Sequence, residues 1–327
     1  MSRCPDFTHL LVLPRLRVQN ANAVSSPLTH GFPSITAFLG LMWALERQVC
    51  RAGMEHLAFN AVGVVSHGWQ EQVTEGFVKA FRLTRNPVQQ DGSTAAIVEE
   101  GRIHLELSLV FALNTEHWDE AQRQSDVDRI AGLLAGLRIA GGTVLPPEDM
   151  SAHRWKPWLV DMTGDSEHRQ ANFRNTCLRL LPGFALVARD ELLDRRHAEM
   201  RLKNPCTTRL DAWLSLARME WRYETEAGGD KGQWVSSRRK GDGWIVPIPV
   251  GYGALSELHP PGIVRNARDP TTPFRFVESL YSVGEWMGVH RLRRAQDVLW
   301  YADSQPAQGL YRCCNEYRPS DPFDTVV

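Results

Sequence analysis

FRLTRNPVQQDGSTAAIVEEGRIHLELSLVF, from Phe81 to Phe111, decides how the rest of the chain is read. In its second half Ile103, Leu105, Leu107, Leu109 and Phe111 alternate with His104, Glu106, Ser108 and Val110. A period of two marks a strand with one buried face. The first half is polar, sets Arg82 and Arg85 ahead of an Asn86-Pro87 turn signal, and meets another at Asp91-Gly92. A strand rooted in a core and continued outward as an arginine-bearing hairpin arm can reach a partner, and a nucleic-acid backbone suits it.

Outward from this stretch, Leu10 to Val18 reads as a strand with Leu10, Val12, Leu16 and Val18 on one face and Arg15 and Arg17 on the other, open to RNA. Ser34 is placed to cap a helix in which Ile35, Phe38, Leu39, Met42, Leu45 and Val49 recur at helical spacing. Leu57 to Ser66 suits a buried strand. Ser125 with Asp128 resembles a capping box ahead of Ile130, Leu133, Leu134 and Leu137, and Thr143 to Leu145 can close the unit. The order strand-helix-strand-strand-helix-strand predicts an α+β, ferredoxin-like or RRM-like domain over residues 1–147, with the arm inserted at about 76–102. The base-stacking aromatics of a free-standing RRM are not visible.

A mixed C-terminal α+β region, 148–327, follows Pro146 and Pro147. Helices are predicted over Ser166–Leu181, Arg189–Asn204, Thr208–Tyr223 and Phe276–Trp286, a polar glycine-rich loop over Gly228–Gly243, and a strand over Trp244–Val250 whose prolines favour a sheet edge. Trp43 and Trp213 fall in helical patterns that bury them, whereas Trp234 stands in the polar loop.

The chain has 327 residues and a formal net charge of −1, which argues against nonspecific coating of nucleic acid but permits a local basic groove. Basic clusters occur at Arg238, Arg239 and Lys240 and at Arg291, Arg293 and Arg294, where a solvated face is the plain alternative. No apolar run long enough to span a membrane and no leader pattern is seen, so a cytoplasmic protein is expected. Six cysteines lack CxxC or metal-ligand spacing, and no cofactor or metal is expected.

Four segments give the chain a resemblance to a known family: PRLRVQNANAVSSPLTHGFPS (Pro14–Ser34); RLTRNP through EEGRIHLELSL (Arg82–Leu109); LLPGFALV (Leu180–Val187); and VPIPVGYGALS with RNARDPTTPFRFVESLYSVGEW (Val246–Trp286). The chain resembles the second-subunit family of the type I-F CRISPR surveillance (Csy) complex, a Cas-five-like branch of the RAMP superfamily. The resemblance implies a RAMP fold and a noncatalytic role in antiviral DNA targeting, binding the 5′ handle of the guide RNA. It also implies as partners the large Csy subunit, the backbone Csy subunit and target DNA through the assembly. It does not extend to the first few residues, Asn114–Arg123, Ala227–Gly243 or the tail after Arg312, and nothing functional is carried there.

Candidate RNA-binding residues form three sets. Asn20, Asn22, Ser25 and Ser26 offer small donors and acceptors between a strand and a helix, against the alternative of a self-bonded turn. In the arm, Arg82, Arg85 and Asn86 face competition from ion pairs with Glu99 or Glu100. Arg265, Asn266, Arg268 and Arg275 form the third set, with Asp269 and Glu278 as competing partners. No GxSxG, HExxH, P-loop or GxGxxG signature is present. His30, His67 and His104 leave a guide-precursor endoribonuclease as one alternative, and a protein-only scaffold is another.

Overall fold

The computed structural model describes residues 3–85, 88–89, 91–94, 97–147, 153–219, 221–225, 232–236, 238, 243–267 and 269–319. The chain begins with β1 (His9–Asn22), β2 (Val24–Ser26), β3 (Thr29–His30), α1 (Ile35–Arg51) and β4 (Ala58–Glu71). Four short arm strands follow: β5 (Val73–Thr74), β6 (Ala80–Phe81), β7 (Leu83–Arg85) and β8 (Ile97–Glu99). Then come β9 (Arg102–Asn114), α2 (Arg123–Ala135), β10 (Arg138–Ile139) and β11 (Gly142–Leu145). The second half holds β12 (Trp158–Asp161), α3 (Ser166–Arg179), β13 (Phe184–Ala188), α4 (Asp190–Lys203), α5 (Arg209–Ala217), β14 (Trp221–Thr225) and β15 (Gly232–Ser236). It ends with β16 (Ile245–Ala254), β17 (Val277–Gly288), β18 (Leu299–Gln305) and β19 (Leu310–Asn315).

The architecture is α+β. One eleven-stranded antiparallel sheet has the order β10-β11-β1-β9-β4-β13-β17-β16-β19-β18, with β12 also on β1. One edge of β4 is taken by β9. Its other edge pairs with β13 at Val65 and Ser66 and with β18 at Val62 and Gly63, so the sheet runs through both halves of the chain. The arm leaves from the ends of β4 and β9, and β7 pairs with β8 as a hairpin within it.

Each face of the sheet is covered differently. Helices α1 and α2 bury Phe38, Leu39, Leu45, Val127 and Ile130 against Leu11, Leu13, Val62, Leu109 and Phe111. Ser34 does cap α1, its side chain accepting from the Thr36 N–H. On the opposite face α3 sets Phe173 and Cys177 over Leu10, Val12, Ala61, Val65 and Val110. A smaller core holds Leu192, Leu193, Ala212 and Trp213 of α4 and α5 on Ile245 and Val283.

Several sequence expectations are corrected. Leu10 and Val12 do not share a face with Leu16 and Val18: Arg15 has φ +52°, the register with β9 shifts between Leu13 and Leu16, and the alternation inverts there. Helix α2 starts at Arg123 with no side-chain cap, so Ser125 and Asp128 lie inside its first turns. The segment 276–286 is not helical but contributes most of β17, which pairs with both β13 and β16. Both neighbours need its backbone groups, and a ladder satisfies them where a helix would not. Helix α5 stops at Ala217, and Trp221 already belongs to β14. The described part of 228–243 contains β15, paired with β14, in place of a featureless loop. Trp213 is buried, Trp43 is half-buried, and Trp234 is exposed against Tyr223.

Candidate nucleic-acid interface

The C-terminal region covers only part of the outer sheet face. Beyond it a groove of about 320 Å³ is left open, lined by Arg17, Gln19, Gln70, His104 and Glu106. Its position follows from the bulge at Arg15. The Arg15 N–H donates to Ser108 Oγ (3.0 Å), and its guanidinium reaches Glu106 (3.1 Å) and the Leu181 carbonyl (3.2 Å). These bonds hold Arg15 in the left-handed region, and Arg17 and Gln19 then come out on the open face.

The first loop resolves into bonded and unbonded members. Asn22 bonds Val24 through both its amide nitrogen (2.8 Å) and oxygen (3.1 Å). Ser26 shares a hydrogen bond with Thr29 (2.6 Å) and accepts from the Leu28 N–H, while Ser25 donates to the Phe32 carbonyl at 3.5 Å. These three follow the self-bonded turn that small polar residues favour. Asn20 is different. At φ +58° it donates its backbone N–H to His104 Nδ1 (3.1 Å), and its exposed amide side chain has no partner among the described residues.

The loop and the arm base touch. The His30 ring lies 4.9 Å from that of Phe81, the Ala23 N–H donates to the Gly101 carbonyl (2.9 Å), and a Cβ at Gly101 would come within 2.6 Å of Val24. Arg82 is exposed and donates to Gln72 Oε1 (3.0 Å). Glu100 is taken by Arg102 at 2.6 Å. Of Arg85 only the backbone, in β7, is described, and Asn86 and Arg268 lie outside the described residues.

The third set belongs to the second half of the chain. Arg265 and Asn266 sit in the loop joining β16 to β17, and Arg275 donates to the Pro306 carbonyl (3.1 Å). The carboxylates expected to compete are occupied elsewhere. Asp269 accepts from Thr271 and Thr272, whose hydroxyls hold its pKa down to about 2, and Glu278 accepts from the Ser279 N–H.

Sequence reading missed two features. One is an apolar pocket of about 260 Å³ beside the groove, walled by Phe32, Trp69, Phe184, Trp244 and Trp286. The other is a basic cavity that shares Arg17 with the groove and draws on the run HRWKPW (His153–Trp158), whose interleaved charges and indoles were the available signal.

The histidines do not form an acid-base pair. His67 and His30 line the apolar pocket, but both nitrogens of His67 are engaged: Nδ1–H donates to the Pro182 carbonyl (2.7 Å) and Nε2 accepts from the Ser108 hydroxyl (2.7 Å). Burial, with a smaller contribution from Arg15, pushes its pKa down to about 4 from 6.5, against the opposing effects of the Pro182 bond and Glu106. The unfolded chain therefore takes up this proton more readily, and the stability conferred is complete above pH 6.5 and lost as pH falls toward 4. Between pH 7 and 4 the unfolding free energy should drop by about 2–3 kcal/mol more for the natural chain than for His67→Gln, read from urea titrations at each pH. No group of His, Cys, Asp or Glu suited to a metal exists among the described residues, where all six cysteines are free. No helix among those residues is long and apolar enough to cross a membrane.

An α+β sheet with an open polar end and a projecting arm finds its class in a family profile described as CRISPR-associated protein (Cas_Csy2), which matches residues 11–313. A curated relative, CRISPR-associated protein Csy2 of Pseudomonas aeruginosa (strain UCBPP-PA14), is 44% identical over 316 residues, covering 94% of this chain and 95% of its own length. The chain belongs to the Csy2 family, that of the type I-F CRISPR Csy complex in antiviral defence.

Proposed function

We propose that this chain is a noncatalytic, cytoplasmic subunit that grips the 5′ handle of the guide RNA. In this reading it pairs with the large Csy subunit, meets the nearest backbone subunit, and reaches target DNA through the assembly. The observation that carries it is the contact between the arm base and the first loop beside an open groove bearing Arg17, with the Asn20 amide unbonded. A charged finger and a free amide at one sheet end suit a backbone with one or two splayed bases, since RNA is read largely on unstacked nucleotides. Guide pairing supplies target sequence, and protein holds geometry.

The strand order β11-β1-β9-β4 with α1 and α2 on one face supports a ferredoxin-like RAMP unit over residues 1–147, onto which 148–327 is built. The bonded nitrogens of His67 speak for a clamp over a nuclease. Arg265, Asn266, Arg268 and Arg275 are the secondary contact set.

The test replaces both Arg82 and Arg85 by Ala and measures handle-RNA binding across a salt series. Loss of two phosphate contacts should lower the slope of log K against log salt by about 1.4. An unchanged slope and affinity would remove the arm from the interface. Defined cutting of precursor RNA by the purified chain would favour the endoribonuclease, and absence of any handle crosslink would favour the scaffold.

A further inference from the structure

Along β9 the polar side chains of His104, Glu106 and Ser108 alternate with Leu105 and Leu107 of the main core, and each bonds a left-handed residue of β1. The register between β1 and β9 shifts twice, and the second shift, between Val18 and Ala21, sets Gln19 and Asn20 together against His104. An extra residue leaves a backbone N–H out of the ladder, and here the imidazole takes it. Asn20, at φ +58°, donates to His104 Nδ1 at 3.1 Å, and its carbonyl accepts from Arg102 at 3.5 Å.

That bond decides where the ring proton lies. A backbone N–H meets only a ring nitrogen that carries no proton, so in this geometry the imidazole is uncharged and its one proton is on Nε2. Nε2 has no partner among the described residues, and the ring lines the open groove with Gln19 and Gln70. Strands β1, β4 and β9 are described over their whole length, so the placement of these side chains depends on no neighbouring loop. His67 is the contrast, with both its nitrogens bonded inside the fold.

The bonding capacity left over on this strip is uncharged. Glu106 is held by Arg15, and Arg17 is already engaged, in part by the Pro146 carbonyl. The side-chain amides of Gln19, Asn20 and Gln70 have no partners among the described residues, and each offers donor and acceptor. A phosphate selects cations and would have to settle near the Glu106 carboxylate. The edge of a nucleobase selects uncharged donors and acceptors of this kind.

We infer that His104 is a specificity-determining residue that donates Nε2–H to an acceptor on the edge of an unstacked nucleobase, among the amides of the strip. The inference rests on the chain binding guide RNA as proposed above, but on neither the arm nor any cation.

The test uses the full-length chain with three labelled RNA octamers: alternating adenine-cytosine, alternating guanine-uracil, and an abasic one of the same charge. Two substitutions divide the ring's two jobs. His104→Asn keeps an acceptor where Nδ1 stands and lacks the distal N–H, whereas His104→Gln reaches the Nε2 position and gives up the nearer acceptor. His104→Asn should melt like the natural chain and bind at least one base-bearing octamer about tenfold more weakly. The loss should be the same at every salt concentration, because an uncharged contact releases no counterions, unlike the change of slope expected for the Arg82/Arg85 double variant. The abasic octamer should bind His104→Asn and the natural chain equally. His104→Gln should melt lower but recover most of the binding. In the 15N-histidine-labelled chain, with His104 assigned from His104→Asn, the Nε2–H signal should move on binding while Nδ1 stays unprotonated. If His104→Asn binds every octamer as tightly as the natural chain while the arm variant loses slope, the assignment falls and the handle reading stands. A loss repeated with the abasic octamer, a changed slope for His104→Asn, or a protonated Nδ1 in the RNA-free chain also overturns it. Failure of all three octamers to bind the natural chain overturns both readings.

Discussion

Replacing Glu285 by Ala should lower the unfolding free energy by about 3–5 kcal/mol. Glu285 lies in β17 between Val187 of β13 and Ile245 of β16 and is 3% exposed. Its carboxylate takes the Arg189 guanidinium, which also bonds Glu191 and lies 6.0 Å from the Tyr317 ring. Next to this pair Asp190 holds Arg312 at 2.6 Å and accepts from the Ser282 hydroxyl. Removing the carboxylate takes the buried partner from a guanidinium whose side chain is 13% exposed and leaves it only the half-exposed Glu191, which cannot reach the inner nitrogen. Glu285→Gln keeps an acceptor and should cost less. The measurement is the urea midpoint at constant slope, and a loss under about 1 kcal/mol for Glu285→Ala would show that Arg189 finds another partner.

Trp300→Ala should cost a similar amount, about 3–5 kcal/mol, for a different reason. Trp300 has no exposed surface, and its indole donates to the Leu186 carbonyl at 2.8 Å. It pairs with Val62 of β4 and Asn315 of β19, so it sits where the C-terminal strands join the N-terminal sheet. Truncation removes the largest fully buried side chain of the main core and the donor together. Trp300→Phe keeps most of the volume and should cost about 1–2 kcal/mol, mainly for the lost bond. Because the seam anchors β4, from which the arm leaves, Trp300→Ala should also weaken the proposed handle binding under conditions that partly unfold the variant, and a stabilising osmolyte should restore it. Equal stability of Trp300→Ala and the natural chain would mean that the two halves hold together without this contact.

Local rules made the first half of the fold readable. Ser34 stood at a cap, α1 carried a clean apolar stripe, and the alternation in β9 survives because α1 and α2 cover one side of it. The inversion at Arg15 was not readable, because it depends on Ser108 and Glu106, some ninety residues away, holding an arginine in an unfavourable conformation. Strand β17 was misread for a related reason. It buries Ser282, Val283 and Glu285 in close succession, and a strand that hides polar groups as well as apolar ones loses its period of two. In the candidate interface, spacing could not separate Asn20 from Asn22, since only the backbone path decides which amide turns back on its own loop. The basic cavity joins residues near 17, 156 and 179, and no one-dimensional pattern brings these together.

The prolines of β16 have an effect outside the folded monomer. Among the described residues, from Ile245 to Pro249 this strand pairs with β17 alone, and β19 joins at Gly251. The Pro249 carbonyl points away from β17 and accepts from Ser34 Oγ (3.2 Å), so Pro247 and Pro249 occupy positions whose N–H groups would otherwise face outward. An open run of donors invites a foreign strand to add, and two imide nitrogens deny it a template. A newly made subunit awaiting its assembly partners is thereby guarded along this border against sticking to its own kind.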